Sequence, residues 1–186
     1  MANDTLYNAL ERVGNLLRMS ERQIGAEYGL QPVHLHTLHY LARCNKYSNT
    51  LVAVTEYLGM TKGTVSQTIQ VLQNKGYIEK ASNKKDKRQV HLSVSKKGSK
   101  LLQQEIPPAI FGNLDEEISN EKQQSIAENL LQLLTALQNS NKLSSFGVCN
   151  SCSYFLKEET SFRCGLTKEK LTKSDTLKIC REHNKN

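Results

Sequence analysis

Residues 50–98, TLVAVTEYLGMTKGTVSQTIQVLQNKGYIEKASNKKDKRQVHLSVSKKG, change their period and so decide the fold. Thr50 can cap a short helix that stops near Gly59. Thr61 caps the next helix, TKGTVSQTIQVLQNKG, which closes on Gly76. At 100° per residue Val65, Ile69 and Leu72 fall within about 60° of each other, with Gly63, Gln67, Gln70 and Asn74 opposite. That outer face is polar but uncharged, whereas a merely solvated face would mix in glutamate and lysine. Short side chains with donors and acceptors suit the edges of bases. After Gly76 the period falls to two: YIEKA, a charged tip SNKKDKR, then QVHLSV with Val90, Leu92 and Val94 alternating. This predicts a hairpin whose tip carries Lys84, Lys85, Lys87 and Arg88.

Helical patterns flank this segment on both sides. Leu6, Leu10, Val13, Leu17, Ile24 and Tyr28 predict an amphipathic helix over 5–28, with Gly29 as its stop. Pro32 suits the first turn of another, over 32–44, before a polar connection at 45–49. Beyond the hairpin, Ser95 begins a helix that Pro107 and Pro108 end or kink. Residues 114–138 hold the longest helical pattern, with a leucine-rich stripe of Leu114, Ile118, Ile126, Leu130, Leu133, Leu134 and Leu137. That stripe is wider than packing on one small domain needs, so a partner helix is expected. The polar run 139–148 marks a boundary.

Composition narrows the function classes. The chain has 186 residues, 38% hydrophobic and 23% charged, with no apolar run long enough for a membrane span. Its start, MANDTLYNALERVGNLLRMS, lacks the basic start and apolar centre of a secretory signal, so a cytoplasmic protein with reduced thiols is expected. The net charge is +7, and residues 75–100 alone carry a net +7, which concentrates the attraction for anions at the hairpin. No nucleophile–base pair, phosphate loop or carboxylate pair supports an enzyme.

Two helices joined by a tight turn and followed by a basic hairpin form a winged helix-turn-helix. Residues 50–98 resemble the core of the MarR family of bacterial transcription regulators. The likeness rests on Leu58 and Gly59 at the turn, the Thr-x-x-Thr-Val-Ser start of the recognition helix, Lys-Gly-Tyr-Ile before the wing, and Asp86-x-Arg88 at its tip. Arg88 is followed by Gln89 where the family usually has a second arginine. The resemblance implies a triangular homodimer with interlocked N- and C-terminal helices, each subunit presenting its recognition helix to half of a pseudo-palindromic site. The fold class expected is mainly α with a small β-wing, a helical dimerisation region and a small metal-stabilised C-terminal module. Residues 1–140 would be the MarR-like domain, with its core at about 32–98 and dimerisation helices at 3–28 and 99–139; residues 141–186 would be the cysteine-rich tail. Lys62, Gly63, Thr64, Ser66 and Gln67 are the DNA-facing candidates on the recognition helix, with Gln67 able to bond adenine and Lys62 to reach phosphate or guanine. Arg88, held by Asp86, is the minor-groove candidate, and Lys84, Lys85 and Lys87 supply salt-dependent attraction.

His36 and His39 lie three residues apart on one helical face, beside the pocket where the resemblance implies that a small aromatic effector binds. Ordinary satisfied histidines are the expectation there. Cys44 reads as a small buried apolar side chain. In the tail, Cys149-x2-Cys152, Cys164 and Cys180 gather four thiols, with His183 a possible substitute ligand. In a reducing compartment such a set reads as a metal site, and four thiolates suit zinc or a four-iron iron–sulfur cluster equally. Tyr154, Phe155 and Phe162 would form an apolar shell around it. The expected function is a sequence-specific double-stranded-DNA-binding transcription regulator, a repressor, responsive to a small molecule or to metal or redox state. The alternative is a metal or iron–sulfur protein that uses its helix-turn-helix for protein contact.

Overall fold

The computed structural model describes residues 2–82, 90–159 and 161–184. Two helices open the chain, α1 (Ala2–Tyr28) and α2 (Pro32–Arg43). Only the C-terminal end of α1 packs inward, through Ile24 and Tyr28, while Leu6, Tyr7, Val13 and Met19 stand exposed. Helix α2 is the centre of the core. Its Leu35, Leu38 and Tyr40 are fully covered, and the buried Tyr40 hydroxyl donates to the Ser48 carbonyl at 2.8 Å. The Tyr28 hydroxyl donates to Glu105 at 2.7 Å, which ties the end of α1 to a later helix.

Helices α3 (Leu51–Leu58) and α4 (Lys62–Asn74) form the helix-turn-helix, each capped by the threonine its sequence offers. Thr50 accepts from the Ala53 N–H and Thr61 from the Thr64 N–H, satisfying donors that a helix start leaves unpaired. Gly59 ends α3 at φ +62°, a conformation a Cβ would strain. Strands β1 (Ile78–Ser82) and β2 (Val90–Val94) pair antiparallel, Ile78 opposite Val94 and Ser82 opposite Val90. Leu92 alone of the alternating trio is fully buried. Helix α5 (Lys96–Glu105) follows, capped by Ser95, and ends before Pro107 as the sequence predicts.

The single helix expected over 114–138 is two, α6 (Leu114–Glu117) and α7 (Asn120–Ser140). Ile118 is extended and Ser119 caps the new helix by accepting from the Lys122 N–H, so a serine with strong capping preference outweighs the continuous apolar period. The longest helix is α1, not this one. None of the residues of α7 is buried.

The tail forms a three-stranded sheet of β3 (Phe155–Lys157), β4 (Phe162–Cys164) and β5 (Lys170–Leu171), in that order. It is not hung on a free linker. Phe146 meets Tyr57 edge-on at 5.3 Å between centroids, and Tyr57 lies on Tyr40 at 4.3 Å. Ile179, 4% exposed, belongs to the core around α2. Among the described residues no helix is long and apolar enough to cross a membrane.

Candidate nucleic-acid interface and cysteine pocket

On α4 the predicted division of faces holds. Val65, Ile69 and Leu72 are buried, and Lys62, Gly63, Thr64, Ser66, Gln67, Gln70 and Asn74 are exposed. Thr68, just beyond the edge of that arc, is also buried, and its hydroxyl turns back onto the Thr64 carbonyl at 3.0 Å. Two of the exposed groups are already engaged: the Thr64 hydroxyl lies 2.9 Å from that of Thr61 at the cap, and the Gln70 amide donates to Asn74 at 2.7 Å. Lys62, Ser66 and Gln67 form the outward surface at the start of α4. The wing-tip candidates Lys84, Lys85, Asp86, Lys87 and Arg88 lie outside the described residues.

The two histidines stand in different surroundings. The His36 Nε2 is 2.7 Å from the Glu21 carboxylate of α1, whereas His39 is half-buried, and burial followed by the Arg43 charge lowers its pKa. His34, which the sequence did not single out, is the buried one; its Nδ1 accepts from the Gln31 N–H at 2.8 Å and closes the start of α2. Cys44 is buried as expected, and burial pushes its thiol up to about 12.

The four tail thiols come together. Cys149, Cys152, Cys164 and Cys180 all line one pocket of about 250 Å³. They arrive there from a turn at Cys149–Ser151, from the end of β4, and from the segment after the Asp175–Leu177 turn. Tyr154, Phe155, Leu166 and Leu171 supply apolar wall, while Phe162 stands behind, stacked on Phe155 at 5.5 Å. Burial lifts Cys149 to about 11 and raises Cys180. At Cys164 the rise from burial is overcome by hydrogen bonds from the Thr167 hydroxyl and the Thr167 and Leu166 backbone, which leave it below the ordinary thiol value. His183 does not line this pocket. Its ring nitrogens lie 2.6 Å from the Ser145 hydroxyl and 3.0 Å from that of Ser151, and it fills the space beside Gly147 that a Cβ there would need.

Sequence reasoning missed what seats the tail. The Ile179 N–H donates to the Arg43 carbonyl and its carbonyl accepts from the Asn45 N–H, both at 2.9 Å. The Arg181 N–H donates to the Ser48 hydroxyl at 2.8 Å, and its guanidinium grips both Glu56 oxygens on α3, at 2.6 and 2.8 Å. No local signal marks these partners, which are more than 120 residues apart in the chain.

Residues 28–89 match the sequence model of the MarR family. No curated protein matches the chain. Among solved structures, a mutant of S. aureus MepR is similar over 71% of this chain and 97% of that one, at 23% identity and TM-score 0.57. Streptococcus pneumoniae FabT in complex with DNA is similar over 75% and 99%, at 23% and 0.59. Sco3205, a MarR family transcriptional regulator from Streptomyces coelicolor in complex with DNA, is similar over 75% and 94%, at 20% and 0.59. Helix order, wing and family match agree: residues 28–89 of this chain are a MarR-type winged helix-turn-helix, set in the fold of MarR-family regulators.

Proposed function

We propose that this chain is a homodimeric transcription regulator that binds double-stranded DNA through α4 and the wing and represses by occupying its operator. The observation that carries the reading is the outer face of α4. Lys62, Ser66 and Gln67 are exposed, neutral or cationic, and rigidly placed by a buried opposite face. A helix of that width fits the major groove. Two of the similar solved proteins were crystallised with DNA, which supports the assignment. The exposed apolar residues of α1 and α7 supply a two-fold interface between subunits. Such a regulator is not an enzyme.

The responsive element is a metal centre held by Cys149, Cys152, Cys164 and Cys180. It is preferred over an effector between His36 and His39, because His36 is bound to Glu21 and the four thiols share one pocket. Fluorescence anisotropy with the DNA upstream of the chain's own gene tests the reading. With Lys62, Lys84, Lys85, Lys87 and Arg88 on each subunit, the affinity should fall with salt at a log–log slope of roughly −4 to −9. Absence of binding at low salt to that DNA would favour the alternative, a metal protein whose helix-turn-helix contacts protein.

A further inference from the structure

We propose that the four-cysteine pocket holds a cubane iron–sulfur cluster of four irons, not a single zinc ion, and that the loaded pocket clamps α3 of the helix-turn-helix. The proposal rests on the reading that these thiols bind metal and deepens it by naming the occupant and its consequence.

Size and lining point to the occupant. Zinc draws its four sulfurs to bond lengths of about 2.3 Å, which sets them roughly 3.8 Å apart around a point with no room left over. Among the described residues no group of three or more His, Cys, Asp or Glu side chains is gathered closely enough to hold a metal ion as it stands. Yet all four thiols face one pocket of about 250 Å³. That is room for several waters, far more than one ion fills. A cubane core has eight inorganic atoms, and its four thiolates attach at outer corners, further apart than around one ion. The lining agrees. Tyr154, Phe155, Leu166 and Leu171 make the wall apolar. The Asn184 N–H reaches the Cys152 sulfur at 3.5 Å, Thr167 donates to Cys164, and Asn45 and the Glu182 backbone donate to Cys180. Such donors to the sulfurs stabilise thiolates around a cluster.

Position supplies the consequence. Asn45 and Tyr47, from the connection between α2 and α3, form part of the pocket wall. Cys180 sits between Ile179, buried in the core, and Arg181, which grips Glu56 of α3. A cluster bonded to Cys180 therefore fixes a three-residue strap across the start of the helix-turn-helix. Without it the strap keeps only its backbone bonds, the buried Ile179 and the Arg181–Glu56 pair, so α3, on which the recognition helix packs, is held less firmly.

The test uses the full chain, purified without air and reconstituted either with ferrous iron and sulfide or with zinc alone. The expected product carries about four irons and four acid-labile sulfides per chain and absorbs broadly in the visible; this absorption is lost in Cys164→Ser and in Cys180→Ser. Binding of one zinc per chain, with no retention of iron and sulfide, overturns the cluster and leaves the metal reading standing. Uptake of neither overturns both. For the clamp, loaded and metal-free protein are compared on the same DNA, and the loaded form should bind about tenfold tighter or more. Arg181→Gln should keep the cluster spectrum and shrink that difference. Equal affinities of loaded and metal-free wild-type protein would overturn the clamp.

Discussion

The apolar stripe of α7 gives the sharpest prediction. Leu130 and Leu134 lie one turn apart on the same face and are 46% and 50% exposed in the single chain. Fully burying a leucine is worth about 2 kcal/mol, so covering the remaining half of each contributes about 1 kcal/mol. A two-fold interface repeats every contact, so the double variant Leu130→Ala/Leu134→Ala removes about 4 kcal/mol from the dimer. That is roughly a thousandfold rise in the dimer dissociation constant. Alanine is the best helix former, so α7 should persist, and circular dichroism should be unchanged. Sedimentation velocity over a micromolar-to-nanomolar dilution series reads the dissociation directly. The reasoning is refuted if the variant dissociates at the same concentration as the wild type, or if the wild type is itself monomeric across the series.

Gln67→Ala should relax the preference at one operator position by about 1–3 kcal/mol while leaving the salt slope intact, as read by competition with singly substituted DNA duplexes. Leu72→Ala, at a fully covered site in the core, should cost about 2–5 kcal/mol in urea unfolding; a loss below 1 kcal/mol would mean that α4 does not pack as described. Burial, reinforced by the Lys75 charge, lowers the pKa of His34. The unfolded chain therefore binds a proton that the fold rejects, and stability should fall as pH drops through about 6.5. Chemical denaturation between pH 8 and pH 5 should show this slope, diminished in His34→Gln.

The winged helix was legible because each of its signals is local. Thr50, Thr61, Ser95, Gly59 and Gly76 cap or stop their helices where their chemistry says they should. The faces of α4 follow from a fixed angle per residue, so Val65, Ile69 and Leu72 could be assigned inward without coordinates. The break at Ser119 was missed because apolar periodicity ran across it, and one capping hydroxyl weighs little in a long window. The four thiols could be named from spacing alone, but not their shared pocket or the exclusion of His183, which depends on two serines, one on each side of the loop at Gly147. Least legible was the docking of the tail. Arg181 and Glu56 look like solvated charges in the sequence, and their pairing depends on closing a loop of more than a hundred residues.

That docking bears on what the metal proposed for the thiol pocket would do. A tail of about 45 residues cannot bury enough surface to order itself, and a metal is one of the few staples that offsets the deficit. Two of its apolar groups, Ile179 and Phe146, pack on the core around Tyr40 and Tyr57 rather than on the tail itself. The segment that reaches into that core also carries Cys180, so whatever orders the thiol pocket orders the seat of α3 as well. The bidentate pair of Arg181 with Glu56 is about one-third exposed on each side, and such a pair is worth only about 1 kcal/mol. Ion pairing alone therefore would not hold the strap; the buried Ile179, two residues before that cation, contributes most of the hold, and a metal bound at Cys180 as proposed would add to it.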